Sequence, residues 1–182
     1  MKVLCFVAAM LTATSAVAQD VRNTSYTTRT GERVLRVESV IPASVDQVWN
    51  AFTTTEGMQS WFSPEAVVEL AVGGAVKPRT GASTRIGDTG ATAMDILNYL
   101  EPEVITYKIH LDERFSETIR EQDDYLQEIV QLVRVGEKST KVVASMVGWG
   151  TTRIWDDAYA FFAKRNEAAY RRLTMVLSNA RQ

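Results

Sequence analysis

The sequence predicts an α+β protein, a run of antiparallel strands with helices gathered on one face. Three observations carry this expectation. First, the segment from Thr151 to Ala180 places apolar residues at Trp155, Ala158, Tyr159, Phe162, Ala169, Tyr170, Leu173, Val176 and Leu177. Steps of three and four put one apolar stripe on a helix, with Lys164, Arg165, Glu167, Arg171 and Arg172 mostly facing water. A helix of about 25 residues, about 38 Å long, cannot bury such a stripe alone and needs a sheet to lie on. Second, the preceding chain supplies segments of alternating polar and apolar residues separated by turn signals. Third, two short helical patterns follow the first of those segments.

In chain order, Glu32 to Ile41 alternates Val34, Arg36, Glu38 and Val40 with Leu35, Val37, Ser39 and Ile41, which is a strand pattern ended by Pro42. Ser44 then starts a helix, with Gln47 three residues on completing a capping box, and Val45, Val48, Trp49 and Phe52 at helical spacing. Thr54-Thr55-Glu56 opens a second short helix carrying Met58, Trp61 and Phe62, closed by Ser63-Pro64. Ala66 to Val72 reads as a strand, Gly73-Gly74 as a turn, and Ala75 to Pro78 as the return. Arg79 to Gly90 reads as a loop or weak strand. Strands are expected over Ala91 to Leu100 and Val104 to Leu111, joined by Glu101-Pro102-Glu103, and over Tyr125 to Val135 and Thr140 to Val147, joined by Gly136 to Ser139. Asp112 to Asp124 is a mixed-charge connection.

The amino-terminus has the pattern of an address. Met1-Lys2 is a short positive start, Val3 to Leu11 an apolar run too short to span a bilayer, and Ala16-Val17-Ala18 an A-x-A cleavage site. Residues 1–18 are therefore expected to be a secretory signal peptide, with the mature chain starting at Gln19 in the periplasm or medium. Gln19 to Gly31 is polar and Thr-rich and reads as a flexible leader, leaving 32–180 as one domain. Removal of the signal takes away the single cysteine, Cys5, so disulfides and thiolate chemistry are not expected of the mature chain. It also removes one lysine, moving the net charge from −2 to −3. That balance offers no basic field for a nucleic acid, and no second apolar stretch is long enough to cross a membrane.

Val37 to Phe62, reading VESVIPASVDQVWNAFTTTEGMQSWF, resembles the opening of the START-like, or SRPBCC, superfamily, whose fold is the Bet v 1-like helix grip. It is most similar to the branch of activator of Hsp90 ATPase homologues. Ile96 to Tyr107 with its Glu-Pro-Glu turn, Gly148-Trp149-Gly150, and Trp155-Asp156-Asp157-Ala158 agree in order with that family, so the resemblance spans roughly 32–180. It implies a curved antiparallel sheet gripping the carboxy-terminal helix, with a cavity between them for a small hydrophobic or amphipathic ligand. Trp61, Tyr107, Tyr125, Gln127, Ala144, Met146, Tyr159 and Phe162 are the residues expected to line it.

Tyr125 to Val133 can face either way. The resemblance favours Tyr125, Gln127, Ile129, Gln131 and Val133 inward, giving a phenol and two amides to orient a ligand head; the alternative packs Leu126, Val130 and Leu132 inward and leaves the glutamines to water. Trp49, Trp61 and Phe62 are candidates for the mouth under the two short helices, and Phe115 for a lid.

Catalytic signals are sparse. His110 stands alone, so neither a metal site nor a Ser-His-Asp arrangement is indicated, and the glycines make no dinucleotide fingerprint. No catalytic residue, metal or cofactor is assigned. An alternative reading makes the protein a cyclase or dehydrase with Asp95, Tyr107 or Tyr125 as acid or base. Another makes it an interaction module with a filled core.

Overall fold

The computed structural model describes residues 21–78 and 93–180. The expected signal peptide and the turn-rich stretch from Arg79 to Gly90 lie outside these residues. Among those described, nine strands and four helices form an α+β unit: β1 (Arg22–Asn23), β2 (Tyr26–Thr27), β3 (Arg33–Ile41), α1 (Val45–Thr53), α2 (Thr55–Trp61), β4 (Ala66–Val68), β5 (Ala75–Pro78), β6 (Met94–Leu100), β7 (Val104–Ile109), α3 (Glu117–Arg120), β8 (Gln127–Gly136), β9 (Ser139–Val147) and α4 (Trp155–Asn179). The strands pair antiparallel in the order β1-β3-β9-β8-β7-β6-β5-β4, with β2 also on β3. The long helix α4 lies on the inner face of this sheet, the helix-grip arrangement.

Local chemistry sets the element ends. Ser44 accepts from the Gln47 amide, and the Gln47 side chain accepts from the Ser44 amide, the reciprocal cap that the sequence predicts. A single residue, Thr54, ends α1 and begins α2: its hydroxyl donates to Asn50 O and accepts from Gly57 N. Before α4 the chain turns at Gly148, whose φ of 83° suits glycine and whose missing side chain lets the backbone approach Tyr125.

The register decides what faces α4. Ile96, Tyr107, Glu128, Met146 and Leu35 stand in one cross-strand row, and Ile105, Val130, Ala144 and Val37 in the next. Every apolar member of both rows is buried, and with Trp49, Phe52, Trp61, Trp155, Phe162, Tyr170 and Leu173 they form one core. The helix is fastened at both ends. Near its start Arg33 donates to Asp156 and to Gly150 O and lies over the Tyr159 ring. Farther along, Ser39 and Thr174 share a buried hydroxyl hydrogen bond of 2.9 Å.

Three details differ from the sequence expectations. Arg22–Asn23 and Tyr26–Thr27, read as part of a loose leader, pair with β3 across an edge that would otherwise present unpaired amides. The strand expected over Ala66 to Val72 stops at Val68, because Glu69 to Gly74 close into a turn on their own carbonyls. The mixed-charge connection contains α3 and is tied to the sheet: Asp123 accepts from Lys108 Nζ at 2.7 Å and from Leu111 N at 2.8 Å. Ile119 is buried beneath it.

Candidate functional site

The inner face carries one carboxylate in an otherwise apolar row. Glu128 lies between Tyr107 and Met146 on neighbouring strands, under the middle of α4. Two donors from α4, one helical turn apart, converge on its Oε1: Tyr170 Oη at 3.1 Å and Asn166 Nδ2 at 3.3 Å. The Asn166 amide also donates to Met146 Sδ at 3.2 Å, so it bridges two strands of the row. Phe62, Arg165 and Ala169 form the outer rim; Phe52, Met58, Trp61, Met94, Tyr107, Asn166 and Tyr170 form the deeper wall. The cavity between them is about 20 Å³. Room of that size holds about one water molecule, far below the few hundred cubic ångströms usual for a small-molecule pocket.

The wall is aromatic and locked. Phe52 meets Trp61 edge-on at 5.1 Å between ring centres, and Trp61 lies 5.9 Å from Tyr170. Trp61 donates its indole N–H to Ala51 O, and Tyr107 its hydroxyl to Phe52 O. These bonds satisfy the polar ends of both rings inside apolar surroundings.

Burial raises the Glu128 carboxyl to about 7, against the Tyr170 hydrogen bond and the Arg165 charge, which favour the anion. Glu128 is half-buried by accessible surface: the mouth admits some solvent while the rings enclose the carboxylate. The same burial, reinforced by Glu128, pushes the Tyr107 and Tyr170 hydroxyls well above the ordinary phenol range. Both phenols are therefore neutral donors. Arg165 stands over the Phe62 ring at 5.7 Å. Burial and the nearby Arg114 lower it, while Asp112 and Glu128 support its charge. Arg165 thus connects the cavity to the connection between β7 and β8.

Of the residues expected to line a cavity, the structure brings Trp61 and Tyr107 to this one. Met146 lies just beneath, against Asn166, and Ala144 faces α4 in the next row. Tyr159 and Phe162 belong to a separate aromatic group: Trp149 contacts both edge-on, and Phe115 stacks on Phe162 at 5.8 Å. Phe115, the expected lid, therefore covers that group and not the Glu128 cavity.

Tyr125 and Gln127 do not face the cavity. Tyr125 is 78 % exposed, and Gln127 shares the outer face of β8 with Ile129 and Gln131. The inward set is Leu126, Glu128, Val130 and Leu132, the reverse of what the resemblance favoured. Three buried aliphatic side chains on that face outweigh the cost of one carboxyl. Asp95 also points outward, with its Oδ2 2.7 Å from His110 Nε2 on a half-exposed surface, away from the cavity.

Sequence reasoning did not single out Glu128, Asn166 or Arg165. A signal existed: Phe162, Asn166 and Tyr170 follow one another at helical spacing, so Asn166 interrupts an apolar stripe, as Glu128 interrupts an apolar strand face. A polar residue at a core position on each of two facing elements marks a polar pair between them.

Comparison with known proteins agrees with this architecture. The sequence profile of the family "Activator of Hsp90 ATPase homolog 1-like protein" matches residues 42–178. The chain belongs to that family. No curated protein matches it significantly. Among solved structures, CalU16 from Micromonospora echinospora is 20% identical, with a TM-score of 0.59 over 87% of this chain and 83% of its own. An HSP90 activator from Plasmodium falciparum is 15% identical, with a TM-score of 0.60 over 80% of this chain and 96% of its own. The Aha1 dimer from Colwellia psychrerythraea is 17% identical, with a TM-score of 0.53 over 72% and 88%. At these identities the similarity establishes the fold. Among the described residues, no helix is long and apolar enough to cross a membrane, and no group of three or more His, Cys, Asp or Glu side chains converges as metal ligands.

Proposed function

We propose that this family member binds a small apolar or amphipathic molecule at the junction of β8, α2 and α4, with Glu128 as its polar anchor. The observation that carries the reading is a carboxylate set in an aromatic wall beside water-sized space, reached through a rim of Phe62, Arg165 and Ala169. A carboxylate costs free energy to bury, and an aliphatic residue at position 128 would pack the row without that cost. Its presence there supports a role in binding. The resting space is small, so occupancy requires the rim to widen between α2 and α4. The amino-terminal pattern supports export, which would place this binding outside the cytosol and away from the chaperone that names the family.

Native mass spectrometry of protein purified from its own compartment tests the reading. A stoichiometric small molecule, absent from an Ala169→Trp variant that fills the rim, is the expected result. A clean unliganded mass for both proteins, unchanged on incubation with hydrophobic extracts, would overturn it.

A second reading has its own observation. A cavity of about 20 Å³ is nearly a filled core, which suits an interaction module that works through its outer surface. Co-purification of one protein partner at fixed stoichiometry, undiminished in Ala169→Trp, would favour it.

A further inference from the structure

From the hydrogen-bonding balance of this cavity, we infer that the molecule taken at Glu128 carries a neutral hydroxyl on a slim apolar body, as a small alcohol or phenol does. The inference rests on the binding reading above and names its ligand class. The space beside Glu128, about 20 Å³, accommodates one water-sized oxygen and no larger head group. A phosphate or a carboxylate would in addition set a second negative charge against the Glu128 anion.

The wall has committed its donors. Trp61 N–H goes to Ala51 O, Tyr107 O–H to Phe52 O, and Tyr170 O–H to Glu128. Asn166 divides its amide between Glu128 and Met146. Glu128 is the acceptor-rich group: a carboxylate takes about four hydrogen bonds, and these two donors both meet the same oxygen. A donating group is therefore what Glu128 can still take, beside the Arg165 guanidinium at the rim.

An ammonium would donate too, but Arg165 already sets a positive charge at the rim within electrostatic reach of Glu128. A second cation beside it would be repelled, whereas a hydroxyl would not. The apolar body then lies along the rim of Phe62, Arg165 and Ala169, where one ring face and one guanidinium are already present.

Four probes of one ring size separate these chemistries: phenol, anisole, benzylamine and benzoate. Each is titrated into the ¹⁵N-labelled full chain, following the amides of Trp61, Glu128 and Asn166 and the Trp61 indole N–H. Phenol is expected to shift these signals saturably and at least tenfold more tightly than anisole, which has the ring but no donor. Benzylamine and benzoate should be weaker than phenol. Glu128→Leu should erase the preference for phenol over anisole while leaving anisole binding in place, and Glu128→Gln, which retains an acceptor oxygen, should keep part of it.

Equal affinities for phenol and anisole would overturn the hydroxyl inference while leaving the cavity a binding site. Benzylamine as the tightest probe would replace the hydroxyl with a cation. Failure of all four to shift these signals would overturn both this inference and the binding reading. Because Arg165, Tyr107 and Tyr170 face Glu128 from α4 and β7, the titrations are run at pH 6 and pH 8. The preference for phenol should be larger at pH 8, where the carboxylate is the anion.

Discussion

Tyr170 on α4 donates its hydroxyl to Oε1 of Glu128 on β8 across 3.1 Å, joining the long helix to the centre of the sheet through an ionisable group. In this small core, helix packing and proton binding are therefore linked.

Stability should carry the mark of Glu128. Its carboxyl is raised from 4.5 to about 7 in the folded protein, so between those values the native state holds a proton that the unfolded chain releases. Stability contributed by this group is complete below pH 4.5 and falls as pH rises to 7, by up to about 3 kcal/mol. Glu38 and Asp112 have lowered carboxyls, so their contributions act below that window and in the opposite sense. Urea unfolding from pH 4.5 to pH 8 should show the decline, and Glu128→Gln should flatten it. An unchanged slope in that variant would assign the dependence elsewhere.

Tyr170→Phe removes a donor to the anion and leaves the ring. The loss should be about 1–2 kcal/mol at pH 8 and smaller at pH 5, where the carboxyl is neutral. The Glu128 carboxyl should titrate higher still, because the hydrogen bond from Tyr170 favours its charged form. Carbon-detected NMR titration of the Glu128 carboxyl measures this directly.

Asp123→Ala should free the connection between β7 and β8. Lys108 and Asp123 are almost enclosed, with side-chain exposures of 12% and 11%, and Leu111 N loses its acceptor in the variant. Removing one partner of a buried ion pair costs about 3–5 kcal/mol. Hydrogen exchange should show the loss concentrated in residues 111–124, with the α4 amides little changed.

Gly148→Ala should cost at least about 2 kcal/mol, since φ there is 83° and an added methyl carbon would come within 1.8 Å of the Tyr125 carbonyl oxygen. Thermal unfolding checks the loss. Gly136, which has open surroundings by comparison, is the control and should accept alanine with a much smaller change.

The architecture was legible in the sequence because periodicity reports it directly. The stripe from Trp155 to Leu177 called for a sheet, and the alternation over Glu32 to Ile41 and Val104 to Leu111 provided strands of the right sidedness. The site was less legible. Tyr125 to Val133 has apolar residues on both faces, so alternation alone leaves its direction open, and pairing with Val142, Ala144 and Met146 on β9 decides it. Once that register is known, Glu128 is placed under Asn166 and Tyr170. Position across a sheet is a long-range property that no window of a single strand contains.

The hydroxyl of Thr54 has a mechanical consequence. It is the sole residue between α1 and α2, while α4 is fastened by Arg33 near one end and by the Ser39–Thr174 pair toward the other. Widening of the rim would then fall to the seven-residue α2, which is held to α1 by the Trp61 indole on Ala51 O and to β4 by Gln59 on Ala66 O and by Val68 N on the Thr55 hydroxyl. Admission to the carboxylate would then be governed by these three hydrogen bonds, and the short helix, rather than the long one that dominates the fold, would set the rate of exchange.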